Sequence, residues 1–138
     1  MSTKLTPHFT LEELTTTKTG LFNIPDVEQT NQLRILCRDI LEPLRDKAVH
    51  APIIVSSAFR SYSVNKAVGG VPTSQHLLGQ AADIRCQLSA KRLFVIIHQF
   101  VDLGLFNVGQ CILYQKSKFV HVSLPTKTHK NQFIIRNK

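Results

Sequence analysis

Ser74-Gln75-His76-Leu77-Leu78-Gly79-Gln80-Ala81-Ala82-Asp83 puts a histidine on a glycine-terminated loop and an aspartate on the strand expected to follow. Gly79 and the small Ala81 and Ala82 let backbones pass closely, so His76 and Asp83 can converge on one point. A third donor is offered by Val120-His121-Val122-Ser123. There His121 alternates with the two valines and projects from the opposite face of its strand. If that strand neighbours residues 81–86, two imidazole nitrogens and one carboxylate oxygen reach a divalent metal at about 2.0–2.2 Å. Three protein donors with a fourth position open to water is the arrangement of a catalytic zinc site; structural sites close all four. On these residues alone, ordinary structural roles for two histidines and an aspartate remain open and are the heavier reading.

Working outward, Thr10-Leu11-Glu12-Glu13 and Asp26-Val27-Glu28-Gln29 read as capping boxes, each satisfying free N–H groups at a helix start. The second opens an amphipathic helix of about 22 residues, with Leu33, Cys37, Ile40, Leu41, Leu44 and Ala48 at helical spacing. Pro43 removes the bond to the Asp39 carbonyl, which predicts a bend. Ile53-Ile54-Val55 reads as a buried strand, Ser61 to Val68 as a short helix stopped by Gly69-Gly70, and residues 71–80 as a loop. Ala81 to Cys86 reads as a strand, and Ser89 caps a helix carrying Leu93, Ile96, Ile97, Phe100 and Val101 that ends near Gly104. Cys111–Tyr114 and Phe119–Ser123 make a hairpin around the polar turn 115–118. Helices come mainly first and strands later, with at least one antiparallel pair, so the expected class is α+β.

A length of 138 residues suits one domain, 1–138, with a short basic extension from about residue 125. Three cysteines, Cys37, Cys86 and Cys111, are odd in number and form no CxxC pair, so they read as small buried apolar residues. The net charge of +8 is uneven. Residues 1–83 hold eight basic and eight acidic side chains, whereas 84–138 hold nine basic ones and only Asp102. Such a surface favours an anionic partner. No glycine-rich phosphate loop or zinc-finger spacing points to nucleic acid. No run approaches the roughly 20 apolar residues of a membrane helix, and the first residues lack a signal-peptide pattern. The expectation is a soluble, cytoplasmically made monomer without a membrane partner, reaching the cell wall by lysis or another route.

The pattern Ser74-x-His76-x-x-Gly79-x-Ala81-x-Asp83 with the later His121 resembles the signature of the zinc D-Ala-D-Ala carboxypeptidase and phage endolysin family. Phe9 to Leu14, Leu41 to Arg45, Ser56 to Ser61 and Asn65-x-x-Val68-Gly69-Gly70 resemble its small single-domain members in the same order. The resemblance implies a small antiparallel sheet with helices on one side, the hedgehog/DD-peptidase fold. It implies that His76, Asp83 and His121 hold Zn2+, and that Arg60 beside them grips a peptide's terminal carboxylate or carbonyl oxygen. The implied function is hydrolysis of peptidoglycan stem peptides; the alternative is a non-catalytic zinc-binding module of the same fold.

Three positions depart from the family. Lys118 stands where many members of the family carry the carboxylate that moves a proton between water and the leaving amine, Gln115 where some small members instead place a glutamate, and Gly109 where an acid is also common. Three readings follow. A carboxylate such as Glu12 or Glu13 reaches the site, a histidine among His50, His98 and His129 assists, or the domain binds without cleaving. The last two of those histidines read as boundary and solvated-tail residues. Ser74 and Ser123 flank the candidate ligands and are expected to orient them by hydrogen bonding rather than to act as nucleophiles.

Overall fold

The computed structural model describes residues 3–138. β1 (Lys4–Thr6) and β2 (Phe9–Thr10) form a small antiparallel ribbon. α1 (Leu11–Leu14) starts under the first capping box and α2 (Val27–Leu36) under the second. Leu33, Leu36, Cys37, Ile40, Leu41 and Leu44 are all fully buried, as one face of an amphipathic helix should be. The coil does not stop at Pro43. It widens into π-type turns over Cys37–Leu41 and Leu44–Val49. The His50 N–H, for instance, donates to the Arg45 carbonyl at 2.8 Å, five residues back rather than four, and the missing proline N–H is accommodated in the wider coil.

β3 (Ile54–Ser57), β4 (Ala81–Arg85), β5 (Gln110–Tyr114), β6 (Phe119–Ser123) and β7 (Gln132–Arg136) form one sheet in the order β3-β4-β6-β5-β7. α3 (Tyr62–Ala67) follows β3, and α4 (Ala90–Asp102) packs against β5 and β6 under its Ser89 cap. The class is α+β, and four of the five strands are antiparallel. Two elements differ from the sequence expectation. β3 is an edge strand with Ile54 58% exposed, while Ile53, one residue earlier, is buried. Residues 132–136 are not a mere extension: β7 pairs parallel to β5 from Gln110↔Gln132 to Tyr114↔Arg136. Phe133 anchors it by packing on α4, 5.9 Å from the Phe94 ring and 4.1 Å from the His98 ring. An apolar contact of this kind supplies what local propensity does not.

The pleat divides the sheet. Ala82, Ile84, Cys111, Leu113, Val120 and Val122 are buried towards the helices. Asp83, His121, Ile112 and Tyr114 alternate with them and line an open cleft on the other face. Cys37 and Cys111 sit in the core and Cys86 is half-buried, all three as free thiols. Burial, with nearby Glu42, pushes the Cys37 thiol up to about 12. Among the described residues no helix is long and apolar enough to cross a membrane.

Candidate metal centre

Asp83 and His121 are direct cross-strand partners on β4 and β6, so their side chains leave the same face side by side. His76 comes from a single 3-10 turn, Gln75–Leu78, inside the stretch expected to be irregular. Ser74 caps that turn, its Oγ accepting from the His76 N–H at 3.2 Å. Gly79 closes it with φ 73°, where a Cβ would meet the Gln29 carbonyl oxygen at 2.5 Å. Only glycine meets both demands. Gln29 Nε2 donates to the Leu77 carbonyl at 3.1 Å, so α2 holds the histidine turn against the sheet.

His76 Nδ1 lies 2.6 Å from the Ala58 carbonyl, and an oxygen with no proton requires the nitrogen to donate. Its Nε2 then faces Asp83 Oδ1 at 3.2 Å, and His121 Nδ1 faces the same oxygen at 2.9 Å. One donor atom from each of the three residues lies within 4.8 Å of the others. His76 and Asp83 are buried. Burial alone would push the Asp83 carboxyl up, but hydrogen bonds from His121 and His76, with their charge, outweigh it and hold it well below the usual range. Asp83 Oδ2 accepts from Arg60 Nη2 at 3.2 Å. Ser57 Oγ at 3.1 Å and Asn65 Oδ1 at 3.4 Å hold the other two guanidinium nitrogens. One N–H of each nitrogen is thereby committed, leaving two of five for a ligand in the cleft.

Two imidazole nitrogens and an ionised carboxylate are a donor set that suits zinc. The bond from His76 Nδ1 to Ala58 is the outer contact that fixes a metal-binding tautomer. A second grouping, His8, Glu42 and Asp46, is accounted for differently. His8 donates to Glu42 from its ring at 2.7 Å and its backbone at 2.8 Å, tying the N-terminal ribbon to the long helix.

A family model described as Peptidase M15 matches residues 7–123. The chain belongs to the peptidase M15 family. No curated protein matches it. Family membership places this M15 chain among peptide hydrolases, and its His-Asp-His grouping agrees with the zinc dependence typical of M15 peptidases.

The grouping opens on a cleft of about 610 Å³. Among the described residues, Asp83 is the only one lining it with a carboxylate side chain. The three positions where the resemblance leads to an acid send no side chain into the cleft. Lys118 and Gln115 line a shallow pocket with Leu113 on the helix-facing side of the sheet. Gly109 is pressed on Leu124, whose carbonyl oxygen a Cβ would strike. Glu12 and Glu13 serve the N-terminal ribbon and α1, accepting from the Thr3 and Thr10 N–H groups. Ser123 orients no candidate ligand; its Oγ accepts from the Gln110 N–H at 2.9 Å and joins β5 to β6. His98 stacks on Phe133, and His50 ends the long helix with φ 54°. His129, expected in a solvated tail, instead lines the cleft with its Nδ1 buried and without a hydrogen-bond partner. Tyr114 and Phe119, stacked at 4.6 Å, add an aromatic wall. Their alternation with the His121 face was a readable period-two signal. Arg136 and Lys138 also line the cleft, a placement that depends on β7.

Proposed function

We propose that the chain is a zinc metallopeptidase that hydrolyses peptidoglycan stem peptides, as a D,D-carboxypeptidase or an endopeptidase. One observation carries the reading: His76 Nε2, Asp83 Oδ1 and His121 Nδ1 converge beside Arg60 at a cleft in an M15 chain. Zinc held by these residues would lower the pKa of a water towards about 7 and polarise the substrate carbonyl. Arg60 offers its two uncommitted N–H groups to a terminal carboxylate or carbonyl oxygen, with a planar fork that stays charged. Tyr114 and Phe119 shield one side of the bound peptide from water. A hydrolytic step also needs a group that takes up a proton and returns it to the leaving amine. Outside the ligand set, His129 is the imidazole that lines the cleft among the described residues, its Nδ1 carries no hydrogen bond within the protein, and this reading assigns it that transfer.

The test is incubation of purified stem peptides with zinc-loaded protein, with and without a chelator, read by mass spectrometry. Release of D-alanine or shortened stems with zinc, and none with chelator, is the expected result. His129→Ala should keep its metal and lose roughly 10²–10⁴-fold in turnover. No cleavage by the zinc-replete protein sinks the proposal. A second reading, a zinc-binding module without turnover, is favoured by one observation: among the described residues the cleft has no carboxylate side chain beyond Asp83. It predicts stoichiometric peptide binding with no product.

A further inference from the structure

The cleft face of the sheet is a grid of side chains. Asp83, His121, Ile112 and Ile134 form one row across β4, β6, β5 and β7. Two residues along the strands, Phe119, Tyr114 and Arg136 form the next. Strands lie about 4.8 Å apart and same-face residues about 6.8 Å apart, which puts the Arg136 Cα about 12 Å from that of His121. Arg60 reaches Asp83 from the opposite, β3 end of the sheet. The candidate metal centre therefore lies between two guanidinium groups. Arg60 is partly committed to Asp83, whereas Arg136 and Lys138 have no ion-pair partner among the described residues.

The wall that carries these two cations is held in place by its backbone. The Arg136 carbonyl accepts from the Gln115 N–H at 3.0 Å. The Lys138 carbonyl accepts from Lys116 and Ser117 at 2.8 and 3.1 Å. Both residues line the cleft, where Asp83 is the sole carboxylate side chain among the described residues. Two unpaired cations on an anchored wall, with an aromatic pair between them and the metal centre, make a complementary surface for an anionic group.

We propose that Arg136, backed by Lys138, is a specificity determinant that takes a carboxylate of the bound peptide on the amino-terminal side of the reacting bond. That the ligand is a peptide rests on the proposed function. The arginine side chain covers about half of the 12 Å gap, and an extended peptide advances about 3.4 Å per residue. The carboxylate therefore sits about two residues from the reacting bond. The preferred class is an acidic peptide, discriminated from its amidated counterpart by a fork that binds carboxylate through two parallel N–H groups.

The experiment titrates the zinc-loaded full chain calorimetrically with two synthetic peptides that differ only by carboxylate or carboxamide at that position. The wild type should prefer the acid by about 10-fold, the scale of one hydrogen-bonded charge pair, and lose preference as salt rises. Arg136→Gln should bind both peptides with the amide's affinity and keep its zinc. Lys138→Gln should reduce the preference by less. Equal binding by the wild type, or a preference that survives Arg136→Gln with Lys138→Gln, overturns the proposal. Turnover of the same peptides is scored separately. Preference without cleavage overturns the peptidase reading and leaves the carboxylate site standing, and binding of neither peptide overturns both.

Discussion

The two faces of the five-stranded sheet put the same strands to opposite uses. Towards the helices, Ile84, Val120, Val122 and Leu113 are buried in the apolar core. One residue away in sequence, Asp83, His121 and Ile112 line the cleft. The pleat separates stability from chemistry, so that a one-residue slip in register would exchange them. The cross-strand pair Asp83↔His121 shows what a correct register achieves, since it places two candidate ligands side by side without any loop having to position them.

Removing a cleft-face donor should give the largest effect on metal and the smallest on folding. His76→Ala is expected to lower bound zinc from about one per chain to near zero and to bring hydrolysis down to the chelated level. Metal analysis with a turnover assay checks this; full zinc occupancy in the variant would break the assignment. A truncation on the other face should do the reverse. Ile84→Ala should cost about 2–5 kcal/mol in urea denaturation, while the folded fraction keeps its zinc stoichiometry. A loss of zinc larger than the loss of folded protein would show that the faces are not separable.

The smallest effect sharpens the electrostatics of the cleft face in metal-free protein. The folded-state pKa of Asp83 is depressed, against burial, by its hydrogen bonds from His121 and His76. The unfolded chain therefore takes up protons in a range where the folded chain does not. The resulting stability is fully present above the ordinary carboxylate pKa of about 4 and is lost as pH falls through the lower folded value. Urea midpoints of chelated protein across the acid range should decline with falling pH, and Asp83→Asn should flatten the decline. An unchanged slope in the variant would place that acid sensitivity elsewhere.

Local chemistry was legible in the sequence wherever it depends on near neighbours. Both capping boxes form as Thr10 with Glu13 and Asp26 with Gln29, because their partners are three residues apart. The Ser89 cap and the hairpin joining β5 to β6 follow equally local patterns. Pro43 signalled an interrupted helix, but not that π-type turns would carry the coil past it. Ile54 reads as buried yet is exposed, because a β-branched run does not reveal whether its strand has a neighbour on each side.

The cleft divides in the same way. His76, Asp83, His121 and Arg60 could be named from motif order, and the structure brings all four within contact of Asp83 or its hydrogen-bonding partners. The departure from the family resemblance at residues 109, 115 and 118 was also visible, but where those residues lie was not. The structure packs the Leu124 backbone on Gly109 and puts Gln115 and Lys118 beside Leu113, on the face away from the cleft.

By itself, then, the sequence determined the class, the helix starts, the alternation of the central strands and the identity of the candidate donors. Only the tertiary structure decided that residues 132–136 are a parallel edge strand, that His129, Arg136 and Lys138 wall the cleft, and that Ser123 serves the sheet rather than a ligand. The physical reason is the range of the interactions. Caps, spacing and alternation act within a few residues, whereas β7 is held by Phe133 on α4 and by backbone bonds to a strand about 20 residues away, contacts that exist only once the sheet has formed.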